Sequence, residues 1–544
     1  MQLAVCEWKQ NQPLFETYIQ NFAGVSELYD YHPWDPDVYE KRAEDLFSYR
    51  HLRADRTGLA EVLYAYNRSI GNAPQALNNI GRLAEDRALA VVGGQQAGLF
   101  TGPLFVVYKA ITVIQAARQA EEKLRRPVIP VFWIAGEDHD LDEVNHIHAL
   151  TPQLKVEKIR IETAGASPRI PVSRLRIPRS AWLAAIGQLD AVLMPTEYKE
   201  DLMGRITRMA EQSRTLSEFF ARALAWLFGE YGLVFLDSDD PALRRLEKPM
   251  FRRIIEQNAA LNEALIYGRE KVERLGFQPQ TEIREGQANL FVIERDERAL
   301  LYRTQTGFTT RQETNAYSAE DLLRLAEQHP ERLSNNVMTR PLMQEYLFPV
   351  LAAVLGPGEI AYWGLTRKAF HSMGMRMPVL LPRSRYTLVE GTLQKHMQKF
   401  GLSPEDILFR FQEKRQSWLE RQDSLRLPER FARLRAQFTE AYRPLLDDIA
   451  KINPGLKKLG DTNMQKIAEQ LEFMENRAKG AFASQFESSL RQMDRLYLSF
   501  LPLGKPQERI LNIFPYLNKY GTDWLRELTE SPVPLTGQHH VCYL

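Results

Sequence analysis

Thiols are the scarcest chemistry in this chain: across 544 residues only Cys6 and Cys542 occur, near opposite ends. That excludes a zinc centre built from several thiolates, and such sparse use of cysteine fits a reducing interior. A surplus of one charge sign is missing too. Lys plus Arg number 70 against 69 Asp plus Glu, a formal net charge of +1, so no global field steers the molecule to nucleic acid or a membrane surface. Long apolar runs are absent. Leu347 to Leu355 is among the longest, far short of the ~18–20 residues a spanning helix requires. Met1 to Gln20 carries Glu7, Lys9 and Glu16 and has no apolar leader core. The expectation is a cytoplasmic protein with neither nucleic-acid nor membrane partners. What is present is ordinary for a globular chain, 44% hydrophobic and 26% charged residues, and the length allows two to four domains.

The most informative stretch runs from Ala88 to His148. Two apolar runs of strand length, Ala88 to Val92 and Val128 to Ile134, flank a helical pattern in which Val106, Val107, Ala110, Ile111, Val113 and Ile114 form the apolar face. This reads as a β-α-β unit of a parallel sheet with the ends of both strands side by side. Ligands of open α/β sheets sit outside the carboxyl ends of the strands. Gly93 to Thr101 and Glu137 to His148 are therefore the places to look for function.

Around this unit, residues 1–87 read as mostly helical, and residues 151–215 as a polar, Pro-interrupted insertion. Leu216 to Leu227 reads as a helix, Leu233 onward as a buried strand ending in acids, and Leu243 to Leu275 as helix again. Residues 281–310 alternate as a meander. Leu342 to Leu355 reads as an apolar helix, Gly356 to Gly364 as a loop and Met377 to Leu381 as a short strand. The alternation argues for an α/β core over 1–385, a Rossmann-like parallel sheet with insertions at about 151–215 and 265–330. Beyond it the pattern becomes purely helical. Phe431 to Ile452 and Met464 to Phe500 place apolar residues at steps of three and four, with a stutter in the second run. Two such helices joined at Pro454-Gly455 form an antiparallel coiled-coil arm over 386–503, with Pro444 expected to kink the first. Part of that seam is expected to meet a second subunit in a homodimer. Residues 504–544 are expected to pack back on the core.

The chemistry concentrates at the strand ends. Gly93, Gly94, Gly98 and Gly102 let a ligand approach the backbone, Gln95 and Gln96 offer amide groups, and Thr101 would cap a helix whose N terminus favours an anion. The spacing matches neither a Walker loop nor a dinucleotide fingerprint. In Glu137-Asp-His-Asp, a histidine between carboxylates suits acid/base work or a phosphate clamp, so Glu137, Asp138 and His139 are the catalytic candidates. Asp140 is assigned to capping, with Glu143 at capping-box spacing. A metal site would recruit His139, His146 and His148, and the carboxylates would favour Mg²⁺ over zinc; no resident metal is assigned. Asn336, Arg340, Gly358, Glu359, Tyr362 and Arg383 complete the binding candidates, the arginines as clamps for carboxylate or phosphate.

Four stretches, 91–103, 133–143, 335–345 and 356–364, together with Pro506-Gln-Glu-Arg-Ile-Leu-Asn-Ile, resemble the bacillithiol-biosynthesis cysteine-adding enzyme family. The likeness runs through nearly the whole chain in order. It implies a cysteine ligase that joins L-cysteine to the amino group of glucosaminyl malate, on a Rossmann-like core with connective-peptide insertions and a dimerising coiled-coil arm. It also implies distant kinship with nucleotidyltransferases and class I synthetases, and hence activation by ATP or another nucleotide with accompanying Mg²⁺. The histidine motif of that wider group is missing where Gly98-Leu-Phe-Thr-Gly-Pro stands, and Pro382-Arg-Ser-Arg is at most a substitute for its lysine-rich loop. His139 is the residue that would replace the missing histidines. The alternatives are a non-catalytic scaffold of the same pathway and another nucleotide or sugar transferase.

Overall fold

Short apolar runs bounded by turn residues build the centre of the molecule. They are β1 (Leu89–Gln95), β2 (Val128–Ile134), β3 (Val234–Asp237), β4 (Val350–Leu355) and β5 (Val379–Pro382). In the computed structural model they form one all-parallel sheet in the order β5-β4-β1-β2-β3. Every residue of β2, β3, β4 and β5 is buried, as expected of strands covered on both faces. Helix α1 (Leu104–Leu124) makes the crossover from β1 to β2, and α2 (Pro241–Glu256) follows β3. The Rossmann-like parallel core of the sequence reading is thus the fold observed.

The structure describes residues 1–8, 11–163, 169–310 and 315–544. Lys9, part of the first expected insertion (164–168) and part of the second (311–314) lie outside the described residues. Contacts divide the chain into one unit of residues 1–388 with 502–544 and another of residues 389–501.

Four local expectations are corrected. Leu342 to Leu355 is not one helix: α3 (Arg340–Leu347) ends at Phe348, whose φ of −119° and ψ of 148° are extended, and β4 follows. Pro349 is the cause, since a residue before proline is pushed out of the helical region. The expected loop after β4 is helix α4 (Pro357–Trp363), with Glu359 reaching back to the Gly356 N–H at 2.7 Å. The helical N-terminal region opens with a strand, Gln2–Cys6, that pairs antiparallel with His539–Tyr543 at the other end of the chain. Leu243 to Leu275 is two helices, α2 and Asn258–Arg274.

The meander is a five-stranded antiparallel sheet whose strands Glu297–Arg303, Gln287–Glu294 and Leu333–Asn335 lie side by side. In the second unit, α5 (Leu427–Ile452) and α6 (Gly455–Ser484) pack antiparallel. Arg435 pairs with Glu475, the Tyr442 hydroxyl donates to Asn463 Oδ1 at 3.0 Å, and Gly460 lies so close to Leu446 that a Cβ there would come within 2.2 Å of it. Helix α5 continues through Pro444. Helix α6 stops at Ser484 and α7 (Glu487–Phe500) resumes, a break within the stutter of the second run.

Candidate functional site

The strand order reverses direction between β1 and β4, and open parallel sheets bind ligands outside the carboxyl ends of their strands at that switch point. The end of β1 is Gly94-Gln95, and the end of β4 leads through Gly356 into α4. Between them stands Lys109 of α1, 1% exposed. Its ammonium donates to the Gly94 carbonyl at 2.7 Å, to Gln95 Oε1 at 3.0 Å and to Glu359 Oε2 at 2.5 Å, so all three N–H groups are used. Burial pulls its pKa below the usual lysine range, and Glu359 opposes that shift.

The chain of contacts continues toward β2. Gln95 Nε2 donates to Gln96 Oε1 at 2.5 Å, and Gln96 Nε2 donates to Asp138 Oδ2 at 3.4 Å and Glu143 Oε2 at 3.3 Å. Partial desolvation, reinforced by Asp138 and Asp140, raises the Glu143 carboxyl above its ordinary range. His139 Nδ1 lies 3.9 Å from Asp138 Oδ1 and 3.4 Å from Arg298 Nη1. Arginine can only donate, so this geometry makes Nδ1 the acceptor and leaves the ring proton on Nε2. Burial and then the Arg298 charge lower the His139 pKa, which keeps the ring neutral at pH 7. Arg298 comes from the meander and is fixed there by Ser334 Oγ at 2.9 Å, the Asn335 carbonyl and the face of Phe291 at 3.8 Å. A polar row therefore runs across the ends of β4, β1 and β2, from Glu359 through Lys109, Gln95 and Gln96 to Asp138, His139 and Arg298.

Several candidates from the sequence sit elsewhere. Glu137 is 4% exposed and makes no hydrogen bond to His139. Its Oε2 accepts from Arg244 at 2.5 Å and from Ser334 Oγ at 2.8 Å, which makes it a buried anchor for the strand end; Asp138 is the carboxylate beside the histidine. Gly93 and Gly94 are packing glycines: a Cβ would come 2.5 Å from Val113 Cγ2 or from the Trp133 carbonyl. The corner at Gly98 to Gly102 is buried under the C-terminal segment. Phe100 and Thr101 take φ of 47° and 77°, and Asn512 Nδ2 donates to the carbonyls of Phe100 at 2.6 Å and Gly102 at 2.7 Å. Thr101 is not the helix cap. Pro103 holds that position, and the Leu104 N–H at the start of α1 is taken by the Leu511 carbonyl at 2.8 Å, so the expected anion site at this N terminus is already filled by protein.

Arg383 is likewise spent. It is buried, and both terminal nitrogens lie 2.8 Å from the Glu508 carboxylate, a bidentate pair that leaves no fork for a ligand. Asn336 caps the turn before α3, its Oδ1 accepting from the N–H groups of Met338 at 2.9 Å and Thr339 at 3.1 Å. Arg340 is different. Half-buried, it donates to Gln344 Oε1 at 3.0 Å and lies 5.9 Å from the Trp133 ring of β2. Tyr362 is next to it: burial raises the phenol pKa, and the Arg340 charge and hydrogen bond oppose the rise. Gly358 lies on α4 one residue before Glu359, with only the Gln280 side chain near its missing Cβ. His146 and His148 meet edge to face at 5.2 Å on a separate hairpin, and among the described residues no three acidic, histidine or cysteine side chains converge as a metal site.

Lys109, Glu143 and Arg298 are what sequence reasoning missed. Lys109 had a signal, a lone charge at the centre of an otherwise apolar helix face. Glu143 has capping-box spacing, which accounts for it locally, and its N–H does lie 3.3 Å from Asp140 Oδ1. Arg298 carries no local signal, because only the fold brings the meander to β2.

Two family descriptions match this chain: "Bacillithiol biosynthesis BshC, N-terminal Rossmann-like domain" over residues 1–384 and "Bacillithiol biosynthesis BshC, C-terminal coiled-coil domain" over residues 386–544. Among curated relatives, a protein named "Putative cysteine ligase BshC" from Geobacillus thermodenitrificans is 37% identical over 518 residues, 93% of this chain and 94% of its own. One of the same name from Bacillus cytotoxicus is 35% identical over 528 residues, 97% of each chain.

Proposed function

This chain belongs to the bacillithiol biosynthesis BshC family, and we propose that it is a ligase that adds L-cysteine to the amino group of glucosaminyl malate through an amide bond. The observation that carries the reading is similarity along both parts of the chain to proteins that bear a cysteine-ligase name. The polar row at the strand ends supports it, because it offers the groups such a condensation needs.

Amide formation requires an acyl donor, an unprotonated amine held against it, and donors for the charge that grows on the carbonyl oxygen. ATP or another nucleotide, with Mg²⁺ beside it, would supply the leaving group that turns the cysteine carboxylate into that donor. Arg340 fits the anionic part of such a cosubstrate, since its guanidinium is half-buried near the switch point and bound to no carboxylate among the described residues. Asp138 is the oxygen donor that would suit the cation. In the condensation, the C–N bond forms as the bond from the acyl carbon to the leaving group breaks. The Nε2–H of His139 meets the negative charge on oxygen. Glu143, with its raised pKa, takes the proton lost by the amine. Gln95 and Gln96, anchored by Lys109, hold these groups in register.

The arm exposes Leu434, Leu445, Ile452, Leu459, Phe473 and Met474, which supports a homodimer formed through this unit. No described helix is long and apolar enough to cross a membrane, and we place the enzyme in the cytoplasm. The direct test is purified protein with glucosaminyl malate, L-cysteine and candidate nucleotides, read by product mass. His139→Ala should lower turnover by ~10²–10⁴-fold without changing the fold. Full turnover in a folded variant removes His139 from the chemistry. If variants at His139 and Glu143 still complement a bacillithiol-deficient strain while arm deletions do not, the scaffold reading replaces this one.

A further inference from the structure

A cavity of about 290 Å³ opens beside Leu89, the first residue of β1, at the amino end of the sheet. It is separated from the polar row by the length of the strand, roughly 20 Å. Its wall carries Arg50, Arg53, Arg56, Arg87 and Arg126. Only two carboxylates, Asp55 and Asp86, share the lining. Asp55 is engaged as a helix cap, its Oδ2 accepting the Gly58 N–H at 2.7 Å. Among the described residues, no carboxylate forms an ion pair with any of the five guanidiniums.

Backbone carbonyls orient three of the arginines without neutralising them. Arg53 Nη2 donates to the Leu46 carbonyl at 2.5 Å, Arg56 donates to the carbonyls of Glu85 and Ala88, and Arg87 Nη2 lies 3.5 Å from the Arg125 carbonyl. Arg53 Nε is buried with no hydrogen-bond partner. Arg50 lies over the Phe47 ring at 4.9 Å. Burial, and then the neighbouring Arg53, depress the Arg56 pKa; burial and Arg87 do the same for Arg126. Three excess positive charges around one small cavity repel each other until an anion enters. Guanidinium forks match the oxygens of phosphate, and several can share one group. The volume sits at the lower end of the ~300–1,000 Å³ usual for small-molecule sites.

We propose that this cavity is a binding site for a small multivalent oxyanion of the phosphate class, separate from the ligase site. The two phosphoryl groups of pyrophosphate would engage arginines from three segments: the turn at Arg50 to Arg56, the approach to β1 at Arg87, and the approach to β2 at Arg126. Binding therefore ties these segments together and stabilises the unit that carries the sheet.

The test is calorimetric titration of the full-length protein with sodium pyrophosphate, with inorganic phosphate and succinate as separate arms, beside Arg50→Gln/Arg126→Gln. Neither of these two side chains makes a hydrogen bond among the described residues, so the double variant should keep the ligand-free melting midpoint of the parent. The expected result is one saturable pyrophosphate site that weakens with added salt, weaker phosphate, still weaker succinate, and affinity at least tenfold lower in the double variant. If the double variant fails to fold, Arg126→Gln alone carries the same comparison. Equal affinity in the folded variant, or no pyrophosphate binding by the parent, overturns the proposal. So does loss of binding in Arg340→Ala, which would place the anion at the other end of the sheet. Succinate binding as tightly as pyrophosphate overturns the phosphate assignment.

Discussion

Replacing Lys109 with methionine keeps the stem of the side chain and removes only its ammonium. The change leaves the Gly94 carbonyl, Gln95 Oε1 and Glu359 Oε2 without their shared donor. Removing one partner of a buried ion pair costs roughly 3–5 kcal/mol, because the other charge stays behind unpaired. Glu359 is 25% exposed on its side chain and keeps the Gly356 N–H, so the lower end, ~3 kcal/mol, is the expected loss. Urea unfolding measures it, followed on the transition of the unit that carries the sheet, since a chain of two units need not unfold in one step. Lys109→Met/Glu359→Leu removes both charges and should recover most of the stability, as apolar replacement of a buried pair commonly does. Ligase activity should stay low in both variants, because Gln95 and Gln96 have lost their anchor. A single variant that loses less than about 0.5 kcal/mol, or a double variant no more stable than the single, refutes the pairing argument. Full activity in the double variant confines Lys109 to a structural role and detaches the switch point from the chemistry.

Two further outcomes follow from the same packing. Asn512→Ala removes the donor that holds the left-handed corner at Phe100 and Thr101, and should cost ~1–3 kcal/mol in unfolding free energy while exposing the start of α1 to proteolysis; an unchanged midpoint and cleavage pattern would show that the corner holds itself. His539 is buried with Nε2 2.8 Å from Thr387 Oγ1, and burial, with Arg385 adding to it and Glu508 opposing, pushes its pKa down to about 3. The unfolded ring titrates near ~6.5, so below that pH the unfolded state takes up a proton that the folded state refuses. Stability should fall as the pH drops from about 6.5 toward 3, by up to ~1.4 kcal/mol per pH unit from this residue. Unfolding curves of His539→Gln should show a shallower pH slope in that window, and an unaltered slope refutes the assignment.

Much of this architecture was legible in the residues themselves. The β1-α1-β2 unit follows from two apolar runs and a helical period between them, and the αα-hairpin of the arm from steps of three and four around a Pro-Gly turn, because local pattern and final environment agree there. The same logic failed at Val350 to Leu355. A short run of apolar residues has no period that separates a buried strand from a buried helix, and only Pro349 marked the break. Without β4 beside β1, the residue pattern places the crevice between β1 and β2 and leaves the switch point out of view. The family was carried by motifs that the sequence alone displays. Which of their residues are taken up by the protein itself was decided by packing across long separations: Glu508 takes Arg383, Arg244 and Ser334 take Glu137, and Leu511 and Asn512 close over the glycine corner. Arg298 reaches His139, and Lys109 meets Glu359, for the same reason. The sequence by itself determined the chemical types available at the strand ends. Only the tertiary structure decided which were spent on one another and which stayed unspent, because a charge buried on folding has to find its partner wherever the chain brings one.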